Sequence, residues 1–154
     1  METERYAIWC TKPKQASLMF APSLGIPTGM ANVPAMVWKA DKKSLKLFAL
    51  KSTIDKNPTS ACQLYHAPFF NIYESGDVCM GSVQVNIESD CSLEDFIEKW
   101  ENYFFGSYFS HMMAGHLPVN GNLVQLWKNA IGNSSVFDLA RLIKTKFHLK
   151  DLIS

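Results

Sequence analysis

Four cysteines, Cys10, Cys62, Cys79 and Cys91, and four histidines, His66, His111, His116 and His148, hold most of the chain's potential for covalent chemistry. The cysteines form no Cys-x-x-Cys unit and no workable zinc set with the histidines. In a reducing compartment they are free thiols, so one of them could serve as a nucleophile. Cys79 stands apart by its context. The stretch Tyr65-His66-Ala67-Pro68-Phe69-Phe70-Asn71-Ile72-Tyr73-Glu74-Ser75-Gly76-Asp77-Val78-Cys79-Met80 is apolar, then turn-like at Glu74-Ser75-Gly76, then apolar again. A cysteine just past such a turn is partly exposed, which reactivity requires. The competing reading is a small buried hydrophobe, the commoner fate of a cysteine among apolar neighbours. Residue types alone leave both open.

Composition bounds the setting. A chain of 154 residues fits one domain, 1–154, with a core able to fold without staples. With 47% hydrophobic and 19% charged residues it is globular rather than disordered. Net charge is +1 and the basic residues show no broad footprint, which argues against a nucleic-acid surface. Lys42, Lys43 and Lys46 cluster mildly and read as a solvated hairpin end. No stretch approaches the roughly 18 apolar residues that span a membrane. Met1 to Arg5 is polar with no apolar signal core behind it, so the expected location is cytoplasmic.

The elements that must position Cys79 change period midway. Tyr6–Thr11, Ser17–Phe20, Ala35–Lys39, Leu45–Leu50 and Ser60–Tyr65 are short β-prone runs. Lys12-Pro13-Lys14-Gln15 and Asp41-Lys42-Lys43-Ser44 separate neighbouring runs, and Leu24 to Asn32, with Gly25, Pro27 and Gly29, reads as a loop. Leu45, Leu47 and Ala49 alternate with Lys46, Phe48 and Leu50. The pattern predicts an antiparallel meander over roughly 5–66, an irregular loop over 66–82, and helices over roughly 93–147. Ser92 caps the first helix with Asp95 at its third position. Leu93, Phe96, Ile97, Trp100 and Phe104 share one face, and Gly106 stops it. Leu123, Leu126 and Trp127 mark a second helix. A third is expected after Ser135, with Val136, Leu139, Ala140 and Ile143 inward and Arg141, Lys144 and Lys146 outward. Strands first and helices after give one α+β domain.

The loop resembles the active-site segment of ubiquitin-conjugating enzymes. There a His-Pro-Asn precedes the catalytic cysteine, with Asn eight residues before it and a turn Gly three before. Asn71 lies eight before Cys79, Gly76 three before, Val78 immediately before and Met80 immediately after. Phe69-Phe70 stand where His-Pro is expected; a His-x-Pro at His66 and Pro68 is out of register. That departure is similar to a narrower group, prokaryotic conjugating-enzyme-like family D, also called protein B of the PRTRC system. The matching blocks are Pro34-Ala35-Met36-Val37-Trp38, Leu47-Phe48-Ala49-Leu50, Ala67-Pro68-Phe69-Phe70-Asn71, Gly76-Asp77-Val78-Cys79-Met80-Gly81-Ser82, and Phe104-Phe105-Gly106-Ser107-Tyr108-Phe109-Ser110-His111. They cover residues 34 to 111, about half the chain. The group lacks the usual His but has one downstream, here His111. Such enzymes usually begin with a helix, which Met1 to Arg5 is too short to supply; either this group dispenses with it or the chain is truncated, and a missing helix would bear on docking more than on chemistry.

The resemblance implies a ubiquitin-conjugating-enzyme-like (UBC-like) fold and a bacterial transferase. Cys79 would take a ubiquitin-like modifier as a thioester from a ThiF-type activating enzyme and pass it to an amine, because thiolates attack well and thioesters exchange readily. The resemblance also implies a JAB-type peptidase encoded in the same cassette. No cofactor or metal is needed, since the activating enzyme consumes the ATP. Asn71 would donate to the transient oxyanion or brace the loop. His111 would act as base, or be a surface or capping histidine. His66 reads as a solvated loop residue, Asp77 as a solvated turn carboxylate rather than an orienter of the acceptor amine, and Cys10, Cys62 and Cys91 as structural thiols. Trp100, Tyr103, Phe104, Phe105, Tyr108 and Phe109 read as helix face and packing. His116 and His148 have no assigned partner. The alternative function is an inactive scaffold that binds the modifier or other cassette partners. A stand-alone cysteine hydrolase would need a third orienting group that the sequence does not supply.

Overall fold

The computed structural model describes residues 5–51, 58–81 and 83–153. Expectations that fall on residues 1–4, 52–57, 82 and 154, including most of the N-terminal segment and the end of the Gly76–Ser82 block, lie outside the described residues. Strands β1 (Ala7–Thr11), β2 (Lys14–Phe20), β3 (Gly29–Val33), β4 (Met36–Ala40), β5 (Leu45–Ala49) and β6 (Gln63–His66) come first. Helix α1 (Leu93–Phe105), strand β7 (Tyr108–Phe109), helix α2 (Leu123–Ala130), strand β8 (Lys144–His148) and helix α3 (Leu149–Ile153) follow. The result is a mixed α and β architecture with an antiparallel sheet and C-terminal helices.

The main sheet has the order β1-β4-β5-β6-β8, every neighbour antiparallel. Its central strands are covered on both faces, which explains the two interleaved apolar sets in β5. Leu45 and Leu47 point with Met36 and Trp38 into the core shared with Trp100 and Phe104 of α1. Phe48 and Leu50 point with Val37 and Leu64 toward Leu149 and Leu152 of α3. Burying side chains of this size contributes about 1.5–3 kcal/mol each. The Trp100 indole N–H donates to the Asp41 carbonyl at 2.9 Å, tying α1 to the β4–β5 turn. Burial pushes the Asp41 carboxyl up, but the N–H groups of Lys43 and Ser44 outweigh it and hold its pKa below the ordinary value.

The expected meander needs correcting. β2 and β3 leave the main sheet and pair with each other, with Met19 and Phe20 of β2 running parallel to β7. Lys14 and Gln15, expected in a separator, belong to β2. The expected Leu24–Asn32 loop ends early, because β3 begins at Gly29 once Gly25 has turned the chain at φ 67°. Ser60 and Ala61 form a turn, and β6 starts at Gln63.

Both earlier helices are present. Ser92 accepts the Asp95 N–H at 3.2 Å, and Gly106 closes α1 by donating to the Asn102 carbonyl at 2.8 Å. Leu93, expected inward, is exposed. Asn122 caps α2, which buries Leu123, Leu126 and Trp127. The third expected helix does not form. Residues 139–141 make one 3₁₀ turn, then Lys144–His148 pair with β6 as β8. Helical spacing from Val136 to Ile143 competes with a period of two in Lys144-Thr145-Lys146-Phe147, and the unpaired edge of β6 decides the outcome. Gln63 Nε2 donates to the Thr145 and Phe147 carbonyls, and Thr145 Oγ1 to the Leu64 carbonyl, sealing that edge.

Candidate functional site

β6 covers only the Phe48–Ala49 half of the β5 edge. The other half is taken by the segment around Gly76. Leu47 donates its N–H to the Gly76 carbonyl at 3.0 Å, and Val78 donates to the Leu45 carbonyl at 2.9 Å. Gly76 sits at φ 92°, and a Cβ there would come within 2.4 Å of the Phe48 ring, so glycine is required twice over. Tyr73 and Asp77 close the tip of this turn, and Ile72 faces Val78 across it. The next rung places Asn71 beside Cys79, with the Cys79 N–H donating to the Asn71 carbonyl at 2.7 Å. Eight residues of spacing is therefore what a turn of this length needs to set the asparagine next to the thiol.

One rung further, the Asn71 N–H donates to the His111 carbonyl at 2.9 Å. Backbone hydrogen bonds thus line up Cys79, Asn71 and His111, although 32 residues separate the first from the last. Phe69 and Phe70 anchor the segment that carries Asn71. Both are buried, and Phe69 stacks on Trp127 of α2 at 5.3 Å, whose indole N–H donates to the Pro68 carbonyl. Where His-Pro would stand in the wider group, this chain has two core aromatics.

Asn71 is itself buried and left-handed, at φ 67°, a conformation asparagine tolerates better than most residues. Its Nδ2 donates to the Tyr108 carbonyl at 2.8 Å. Its Oδ1 accepts from the Ser110 N–H at 3.1 Å, the Ser110 hydroxyl at 3.1 Å and the His111 N–H at 3.4 Å. The side chain therefore braces the strand after α1 against the cysteine loop. Cys79 is half-buried and His111 is exposed. Both line a cavity of about 320 Å³, together with Asn71, Met80, Gly81, Val83, Gly106, Ser107, Tyr108 and Ser110. Among the described residues no Asp, Glu, Lys or Arg lines it.

The remaining candidates lie elsewhere. His66 turns into the protein and packs on His116, ring centroids 4.5 Å apart. Burial, with the neighbouring His116 adding to it and Glu74 opposing, pushes the His66 pKa down to about 4. Burial also lowers that of His116, whose Nε2 is buried without a hydrogen-bond partner among the described residues. The expectation of a solvated His66 is therefore corrected; its ring is half-buried beside another imidazole. Asp77 pairs with Lys46 at 3.2 Å and accepts from the Ser75 hydroxyl, so it secures the turn. The backbone N–H of His148 is bound by Asp151 at the start of α3. In the aromatic run, Trp100, Phe104 and Phe109 are core, the Tyr103 hydroxyl pins Asn86, and exposed Tyr108 borders the cavity. Cys10 is exposed and its thiol is pushed up by burial of part of the side chain and by Cys62. Ser110 is the site residue that sequence reasoning missed. It lay within a matching block, but a serine before a histidine carries no signal until Asn71 is seen to meet it.

Among the described residues no three or more of His, Cys, Asp and Glu gather as a metal site, and no helix is long and apolar enough to cross a membrane. An α+β architecture with a cysteine at the end of a sheet-edge turn is compatible with the conjugating-enzyme-like proteins. The chain belongs to prokaryotic E2 family D, whose family model matches residues 1–148. No curated protein and no solved structure matches it. Family membership bears out the resemblance over nearly the whole chain and makes this a conjugating-enzyme-like protein of ubiquitin-like systems.

Proposed function

We propose that the protein is a thioester carrier: Cys79 accepts a ubiquitin-like modifier from a ThiF-type activating enzyme and delivers it to an amine. In loading, the Cys79 thiolate attacks the carbonyl of the modifier's thioester on the activating enzyme. A new C–S bond forms, the old one breaks, and the activating enzyme's thiolate leaves. In discharge, an amine attacks the Cys79 thioester, the C–S bond breaks, sulfur departs as thiolate and the amine proton passes to His111 Nε2. The observation that supports this reading best is the backbone ladder that places Cys79, Asn71 and His111 on successive rungs beside one cavity.

Asn71 uses one amide hydrogen on the Tyr108 carbonyl. An amide nitrogen has two, and the second is the donor proposed for the tetrahedral oxyanion. Bracing and oxyanion binding then belong to one side chain. A JAB-type peptidase from the same cassette is the proposed partner that reverses the transfer.

The test mixes the protein with its activating enzyme, modifier and ATP, followed by a non-reducing gel. A thiol-sensitive adduct is expected in the native protein and not in Cys79→Ala. No adduct with a demonstrably active activating enzyme would overturn the carrier reading and leave a scaffold. His111→Ala is expected to load normally but discharge to amines more slowly, by about 100-fold or more for loss of a general base; unchanged discharge rejects that role.

A further inference from the structure

We infer that Ser110 is a positioning residue that fixes the protonation pattern of His111, holding the imidazole as the Nδ1–H tautomer with its lone pair on Nε2. The inference deepens the proposed function and rests on it only for its bearing on transfer. Two contacts of one hydroxyl carry it. The Ser110 hydroxyl lies 3.1 Å from Asn71 Oδ1 and 2.8 Å from His111 Nδ1. The first is a hydrogen bond onto an amide oxygen that can only accept, so serine is its donor; the second is short enough to need a hydrogen of its own between oxygen and nitrogen.

A hydroxyl supplies a single hydrogen. Asn71 cannot supply one from Oδ1, and the orientation of its amide is fixed independently. The N–H groups of Ser110 and His111 converge on the oxygen, while the nitrogen faces the Tyr108 carbonyl. The Ser110 proton therefore goes to Asn71. The contact with the ring is then made by the imidazole's own Nδ1–H, and a neutral imidazole so arranged carries no hydrogen on Nε2. Without the serine nothing in this trio fixes which nitrogen holds the proton. Ser110 also couples the two other polar members of the site, because the amide that orients the hydroxyl is the one beside Cys79.

The test is a two-bond ¹H–¹⁵N spectrum of ¹⁵N-histidine-labelled full chain, above the pH at which the imidazole is neutral, with His111 assigned from its missing signals in His111→Gln. The native protein is expected to show the Nδ1–H pattern for His111. Ser110→Thr, which keeps the hydroxyl, should preserve it; Ser110→Ala should shift it to Nε2–H or to an averaged pattern. An Nε2–H pattern in the native protein, or an unchanged Nδ1–H pattern in Ser110→Ala, overturns the inference. The spectrum needs no modifier, so it stands or falls independently of adduct formation at Cys79. With preformed adduct, Ser110→Ala is expected to discharge to amines about tenfold more slowly, a fraction of what a general base supplies, and Ser110→Thr to recover. A flipped tautomer with unaltered discharge would remove Ser110 from the transfer step.

Discussion

Two pairs of residues flank the cysteine loop and handle imidazole in opposite ways. His111 is exposed at the cavity, held by one hydroxyl, with its other nitrogen unengaged in that contact. His66 and His116 are packed ring against ring, and burial keeps both from taking up a proton as readily as an ordinary histidine. His66 is the nearer to Cys79 in the chain and forms the His-x-Pro that looks most like a conjugating-enzyme motif. The structure uses it to tie the end of β6 to the 3₁₀ turn beyond His111, and brings His111 from after α1 to the cavity. Nearness in sequence counts for less than the backbone rung on which a residue arrives.

The strongest way to break this contrast is to remove what aligns the rungs. Asn71→Ala deletes four side-chain contacts, leaves part-buried backbone groups unpaired and puts at φ 67° a residue that tolerates it less well than asparagine. It is expected to cost about 2–4 kcal/mol in urea unfolding and to abolish adduct formation, whereas His66→Gln should leave the adduct intact. Loss of adduct in His66→Gln with retention in Asn71→Ala would reverse the assignment.

The packed pair should show itself through pH. The unfolded chain binds a proton on His66 near the ordinary histidine value of about 6.5, while the folded protein resists protonation until about 4. In that window the unfolded state holds more protons, so stability is fully present above the upper limit and falls as pH drops toward the lower one. His66→Gln is expected to flatten this part of a melting-temperature profile. An identical slope in the variant would mean that the pair does not resist protonation.

The smallest expected effect sharpens the view of the turn. Asp77 and Lys46 form a partly exposed ion pair, so Asp77→Asn should cost about 0.5 kcal/mol, as surface pairs usually do, and discharge to amines should proceed at the native rate. A large loss of discharge with unchanged stability would restore Asp77 as an orienter of the acceptor.

Much of this was legible beforehand. Ser92, Gly106 and the spacing from Phe96 to Phe104 announce α1, because capping and a 3.6 period are local signals. The Asn71–Gly76–Cys79 spacing announces which residues of the candidate site lie side by side, because a tight turn fixes which residues face each other. What escaped was decided at a distance. Lys144–His148 become a strand only because β6 offers an edge. His66 turns inward because His116, 50 residues on, is there to meet it. Ser110 acquires a role only from Asn71 and His111 together, a constellation with no sequence period.

The most direct measurement is a peptide mass map of the adduct, digested without reductant after loading with activating enzyme, modifier and ATP. The account predicts the C-terminal residues of the modifier on the Cys79 thiol, released by hydroxylamine. Attachment to Cys10, Cys62 or Cys91, or only through a lysine isopeptide bond, would contradict it.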